Sequence, residues 1–381
     1  MDNQTLILIN LRGGADGLNM IAPYKEENYY NLRPTIALAR PDEKDGVLDL
    51  DGFFGLHPAL APLLPLYQKQ QLAILHATGW KGQTHSHFEA WEEIELGITG
   101  QEKPITGWLA RYLQLLNQNE KKQNALQTIN FSSWPTKLFI GYPSTSKISE
   151  LSDFCLKSKN TSSLISALKL LYQSGDVKSF TALITNIGQQ TINTLEEVNK
   201  ILQNQETSSS EYPKTRFGSQ LQSVEQLIQA NIELSAVSID LNGWDTHILQ
   251  GGAKGHMANL LLELASGIAS FAKNLKDKWE KVLLVVMTEF GRRVAENGSG
   301  GTEHGQGGVM FFAGGKVNGG RVFGDWPGLS TTSLSGPGDL TITTDFRTAL
   351  SEIIMPQIGS VEKIFPNYQV TQNLGILSNQ A

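Results

Sequence analysis

The sequence predicts an α/β protein, a three-layer α/β/α sandwich around a mostly parallel central sheet. Three observations carry this. Short apolar runs recur at Thr5–Leu11, Leu72–Ala77, Ser235–Asp240, Val282–Met287 and Val309–Phe312, as in strands buried on both faces. Stretches with helical apolar spacing separate several of these runs, and such alternation builds a layered α/β domain. Carboxylates, imidazoles and glycines follow several of the runs, and the carboxyl ends of strands in an open α/β sheet face one ligand-binding crevice.

The elements are justified in chain order. Thr5–Leu11 ends in Arg12-Gly13-Gly14-Ala15-Asp16-Gly17 and reads as a buried strand followed by a glycine-rich turn. Pro58–Gln70 reads as a Pro-started amphipathic helix. Leu72–Ala77 is the second strand, and Phe88–Gly97 a helix behind Thr84-His85-Ser86-His87. Gln114–Gln127, rich in Asn, Gln and Lys, reads as a solvated helix or loop. Ser162–Thr194 has helical spacing that Leu195–Gln205 continues, and Glu206–Glu211 reads as a flexible connector. A helix from Phe217 to Ile232 precedes the Ser235–Asp240 strand. Gly255–Lys276 is a long helix with Leu260, Leu261, Leu264, Ile268 and Phe271 on one face. After the Val282–Met287 and Val309–Phe312 strands, Thr344 or Asp345 is the N-cap of a helix running toward Ile354. The expectation is one domain over residues 1–381 with a mostly helical insertion around 150–232.

Bulk properties narrow the function. The 381 residues, 40% hydrophobic and 18% charged, describe an ordinary globular chain. A net charge of -6 and scattered basic residues predict no nucleic-acid partner. No apolar run reaches the ~18–20 residues of a membrane span. The single cysteine, Cys155, excludes an internal disulfide and reads as a small buried hydrophobe. The expected location is cytoplasmic, the alternative being an exported protein written without its leader. Oligomeric state is not encoded in any feature of the sequence.

Several residues could carry chemistry. Asp16 sits just past the first strand; alone, it reads as a turn residue. Ser86 stands at a helix start, where it is an N-cap or, with a metal nearby, a nucleophile; on this segment alone the N-cap reading leads. Asp245 and His247, two apart after a strand, point the same way in extended chain and can grip one ion. His256, near the start of the long helix, is read as structural. Glu289 ends the strongest strand, and Arg292 behind it can pair with a carboxylate or bind an oxyanion. His304 lies in a glycine-rich segment between Gly298 and Gly308. Asp16, Asp245, His247, Glu289 and His304 together have the composition of an oxygen-and-nitrogen metal site. Trp80, Trp244 and Trp326 read as core anchors, with a pocket for a sugar or aromatic group as the alternative.

Leu11-Arg12-Gly13-Gly14-Ala15-Asp16-Gly17-Leu18-Asn19, Ser86-His87-Phe88, Gly243-Trp244-Asp245-Thr246-His247, Thr288-Glu289-Phe290-Gly291-Arg292, Glu303-His304-Gly305 and Gly320-Arg321-Val322-Phe323-Gly324-Asp325-Trp326 resemble a bacterial family of unknown function. That family is placed in the alkaline phosphatase and sulfatase superfamily. The resemblance implies a doubly wound, alkaline phosphatase-like sandwich with one or two divalent ions. It implies that Asp16, Asp245, His247, Glu289 and His304 are ligands, with Ser86 as nucleophile and His85 or His87 as a compensating imidazole. The chain departs from the superfamily pattern in two places: only Thr246 separates Asp245 from His247, and Glu289-Phe290 replaces an Asp-His dipeptide. Ser86 lacks the Cys/Ser-x-Pro-x-Arg context of a formylglycine sulfatase.

The expected activity is metal-dependent hydrolysis of phosphate or sulfate esters, including sugar esters, by a metal-activated serine or water. Zn, Mn or Fe suit the His and carboxylate set, and Mg or Ca an all-carboxylate one. The alternatives are a non-catalytic carbohydrate- or protein-binding module on a degenerate phosphatase-like scaffold, and a purely structural protein.

Overall fold

The strand Thr5–Arg12, β1, organises the molecule. Ile7, Ile9 and Leu11 pack on one side of the sheet, Leu6 and Leu8 on the other, and all five are buried. Successive strand side chains face opposite ways, so a strand covered on both sides is mostly apolar, and its buried Thr5 and Asn10 are hydrogen-bonded to Leu234, Ser238 and Asp240. The computed structural model describes residues 4–378 apart from 81, 83, 99–102, 118–125, 133, 157, 159, 173–179 and 204–210.

Further strands are β2 (Leu72–Gly79), β3 (Thr128–Asn130), β4 (Thr145–Lys147), β5 (Ala236–Asn242), β6 (Val282–Thr288), β7 (Arg292–Glu296), β8 (Thr302–His304), β9 (Gly308–Ala313), β10 (Arg321–Phe323) and β11 (Thr344–Asp345). β7 and β8 form a separate ribbon. The nine-stranded main sheet has the order β10-β2-β9-β6-β1-β5-β3-β4, with β11 also on β2. β1 lies parallel between β5 and β6, with Leu6 opposite both Ala236 and Leu283. β9 runs antiparallel to β2 and β6, and the other pairings in this sheet are parallel. The carboxyl ends of β1, β2, β5 and β6 therefore meet the amino end of β9 along one edge.

The helices are α1 (His87–Leu96), α2 (Trp108–Leu116), α3 (Thr161–Leu171), α4 (Phe180–Gln203), α5 (Arg216–Gln229), α6 (His256–Leu275) and α7 (Phe346–Ile358). Trp91, Ile94, Leu109, Leu113 and Leu350 of α1, α2 and α7 cover the side of Leu6 and Leu8. Phe217, Leu221, Leu261, Leu264, Ile268 and Phe271 of α5 and α6 cover the opposite side, completing the three-layer sandwich. No described helix is long and apolar enough to cross a membrane.

Local chemistry explains where elements differ from expectation. Pro58–Gln70 is a 3-10 turn, Pro58–Leu63, followed by a short helix, Leu64–Gln68; Pro62 and Pro65 lack the N–H groups that a continuous α-helix needs. α1 begins one residue earlier than expected and ends at Gly97, whose φ of 66° is left-handed. α5 stops before Ile232 because Asn231 takes a φ of 60°. The continuous helical reading of 162–205 becomes α3 and α4, with 173–179 outside the described residues. The connector at 206–210 and the polar stretch at 118–125 also lie outside them. Asp345, rather than Thr344, caps α7 by accepting the Arg347 N–H at 2.9 Å. Cys155 is half-buried rather than buried, its thiol directed at the Ser152 carbonyl.

Candidate metal centre

The turn after β1 sets the geometry of the edge. Gly13 and Gly14 have φ of +129° and +67°. A Cβ on Gly13 would stand 2.4 Å from the Asp245 nitrogen, and one on Gly14 would stand 2.5 Å from the Phe290 ring. Only glycine lets the β1 turn pack this closely against the segments that leave β5 and β6.

Four side chains from three segments converge there: His87 at the start of α1, Asp245 and His247 after β5, and His304 at the end of β8. His87, Asp245 and His304 have ligand atoms within 4.8 Å of one another. Asp245 Oδ1 lies 3.0 Å from His247 Nε2 and 3.1 Å from His304 Nε2, and Asp245 Oδ2 lies 3.5 Å from His87 Nε2. The two Nε2 atoms of His247 and His304 are 2.9 Å apart. Phe290 holds two of the rings, with centroids 4.9 Å from His87 and 4.8 Å from His304.

The outward nitrogens fix the tautomers. His87 Nδ1 donates to Glu289 Oε1 at 2.7 Å, His304 Nδ1 to the His85 carbonyl at 2.9 Å, and His247 Nδ1 faces Glu303 Oε2 at 3.1 Å. These oxygens can only accept, so each imidazole carries a proton on Nδ1 and, in its neutral form, a lone pair on Nε2. In the neutral form, three lone pairs surround an anionic carboxylate. They repel one another unless a cation joins them, and neighbouring ligands of a tetrahedral ion with bonds of about 2.0–2.1 Å stand about 3.3 Å apart. By donor chemistry and spacing, these residues fit a divalent metal.

The electrostatics agree. Burial works against the charge on Asp245, but the contact with His304 and the hydrogen bond and charge of Arg292 outweigh it and hold the carboxyl at about 2. Burial pushes His304 down, toward its neutral form. The hydrogen bond to Glu289 pushes His87 up. The Asn297 amide, 2.7 Å from Glu303, helps hold that carboxyl below its usual range.

The remaining residues singled out in the sequence occupy the surroundings. Glu289 is buried; it accepts from the Gly13 N–H at 2.8 Å and from His87, and so stands behind an imidazole. Asp16 is buried in a bidentate pair with Arg33, at 2.5 and 3.0 Å, and accepts from Gln250 at 2.6 Å. The structure does not bring it to the cluster. Arg292 is also fully buried; it donates to the carbonyls of Gly13, Gly14, Trp244 and Thr302 and to Asp245. It locks the edge together and presents no exposed face to an incoming oxyanion. Ser86 occupies the N-cap position of α1 without a capping side-chain bond. His256 holds the Gly243 carbonyl at 2.9 Å.

A cavity of about 490 Å³ opens beside the cluster. His87, Asp245 and Glu289 form one end, and Arg12, Phe88, Trp91, Glu92, Trp134 and Lys137 are among its other walls. Trp80 and Trp244 are core residues, and Trp326 packs on Phe53, Phe54 and His76; none of the three lines this cavity. Sequence reading missed Trp91 and Trp134, because no local pattern marks a tryptophan that reaches a site through the fold. It also gave no role to Glu303, although its place beside His304 was a usable signal.

A family profile described as "Protein of unknown function (DUF1501)" matches residues 3–350. No curated protein matches the chain. Among solved structures, the crystal structure of Ps i-CgsB in complex with k-i-k-neocarrahexaose is similar over 94% of this chain and 72% of its own, at 9% identity and a TM-score of 0.38.

Proposed function

The chain belongs to the DUF1501 family of proteins of unknown function, and from its own geometry we propose that it is a divalent-metal-dependent hydrolase of phosphate or sulfate esters. The observation that carries the reading is the convergence of the His87, His247 and His304 Nε2 atoms on Asp245, with each Nδ1 held by an oxygen. The cavity that opens on this cluster supports a small-molecule substrate. A bound Zn, Mn or Fe ion would supply Lewis-acid polarisation of an ester oxygen and a more acidic water or hydroxyl. His87, Asp245, His247 and His304 would hold it, with Glu289 and Glu303 orienting the imidazoles.

The other residues have distinct tasks. Asp245 stays ionised across the physiological range and so remains a ligand. Arg292 keeps the turns after β1, β5 and β6 at fixed separation. Ser86 adjoins His87 and its side chain is not spent on capping α1, which leaves it available as nucleophile; a metal-activated water needs no such group. One observation favours the second reading, a binding module without turnover: Arg12 in the cavity wall and the buried Arg292 behind Asp245 are both committed to carboxylates.

The test is elemental analysis after incubation with mixed Zn, Mn, Fe, Mg and Ca and desalting, followed by an aryl phosphate and aryl sulfate screen. The expected result is about one tightly held ion per chain, absent from the His87→Ala/His304→Ala variant, with turnover that follows the ion. A protein that retains no metal would exclude the hydrolase. Retained metal without turnover of any ester would leave the binding module. Full turnover in Ser86→Ala would assign the attack to water.

A further inference from the structure

We infer that the cavity beside the cluster binds the organic part of the substrate and that this part is an uncharged ring. The inference rests on the ester-hydrolase reading, which leaves the substrate class open. Phe88 is 74% exposed and Trp134 48% exposed, yet their rings meet edge to face at 6.1 Å on the cavity wall. Open aromatic faces beside a concave site are ligand-contact surface, since they gain most by losing water to a flat partner. Trp91 lines the same cavity and carries the Arg12 guanidinium 4.0 Å from its ring centre.

Charge decides what kind of partner fits. Arg12 is paired with Glu95 at 2.9 Å and Asp240 at 3.1 Å, and Lys137 with Glu92 at 2.6 Å. The cations of the wall are therefore neutralised before any ligand arrives. A polyanion such as a nucleoside triphosphate would find no unpaired cation among the described lining residues for the charges it carries beyond the head group at the cluster. A neutral ring has no such conflict. Its faces pack on Phe88 and Trp134, while Glu92, Lys137 and Asn242 can meet hydroxyls at its edge. The volume of about 490 Å³ suits a small-molecule ligand. The C–H face of a saccharide and the π face of an aryl alcohol share this chemistry.

The experiment uses the metal-loaded full chain with phenyl phosphate, phenyl sulfate, glucose 6-phosphate, glucose 6-sulfate, methyl phosphate, methyl sulfate and ATP as probes. Affinity is read as Kd by calorimetry, or as KM where an ester is turned over. The expected result is binding of a ring-bearing ester about tenfold tighter than the methyl ester with the same head group, with the phenyl and glucose arms distinguishing the two sources. In Trp134→Ala and in Phe88→Ala that ratio falls toward one; both side chains are at the surface, so the fold does not depend on them. Equal binding of ring and methyl esters, tightest binding of ATP, binding of no probe, or a ratio unchanged in both variants would overturn the inference. Metal-dependent hydrolysis that ignores the ring would do so while leaving the hydrolase intact. Ring-selective binding without turnover would keep the inference and remove the hydrolase.

Discussion

Five of the seven histidines divide into two groups by which ring nitrogen is committed. In His57 and His76 the Nδ1 atom accepts a backbone N–H, from Ala59 and Ala77, so the proton sits on Nε2, which bonds the carbonyls of Gly252 and Ile21. In His87, His247 and His304 the arrangement is reversed: Nδ1 faces an oxygen and Nε2 turns to Asp245. Nitrogen-15 NMR is expected to show Nε2–H for the first pair and Nδ1–H for the other three, with the latter Nε2 shifts moving when zinc is added. Asp16 tests the reach of the cluster. Asp16→Ala would leave Arg33 buried without its partner and is expected to cost about 3–5 kcal/mol in denaturant unfolding, with metal content unchanged. Asp245, His247 and His304 were legible as candidates because strand-end carboxylates and imidazoles are few. The engagement of Asp16 was not, because its partner Arg33 lies on a neighbouring turn with no pattern linking the two.

Among the elements, the strands were the most legible, since a short run that is apolar at every position fits a central parallel strand better than an edge strand or a surface helix. The antiparallel course of β9 was not, because direction leaves no trace in a short apolar run. Helix ends were legible only where a residue forces them. Asp345 both caps α7 and pairs with Arg347, at 2.9 Å to its N–H and 2.8 Å to its guanidinium. Asp345→Ala is expected to lower stability by about 1 kcal/mol or somewhat more, measured as a shift of the urea midpoint at constant slope; Asp345→Asn should recover the cap but not the ion pair. Pro62 and Pro65 show the opposite case, where an apolar period that suggests a long helix is overruled by missing N–H groups.

For the molecule as a whole, acid is the expected point of weakness. Burial pushes His57 and His76 down to about 4 from 6.5. As the pH falls through 6.5 the unfolded chain takes up protons that the folded one refuses until about pH 4. The stability contributed by these two residues is therefore complete above about 6.5 and declines between 6.5 and 4, by about 3 kcal/mol for each. Urea unfolding at stepped pH is expected to show that decline, and His76→Gln to reduce it. The layered architecture was legible in the sequence, but the assembly of the candidate metal centre was not, because it depends on which strands become neighbours. That pairing has a consequence for biosynthesis. The neighbours of β1 are β5 and β6, both more than 200 residues later in the chain. On a ribosome, β1 must wait with both edges open and a largely apolar body until more than half of the protein has been made. Its exposure time is set by translation speed, so synonymous slow codons between β2 and β5 would lengthen the interval in which the nascent chain needs a chaperone.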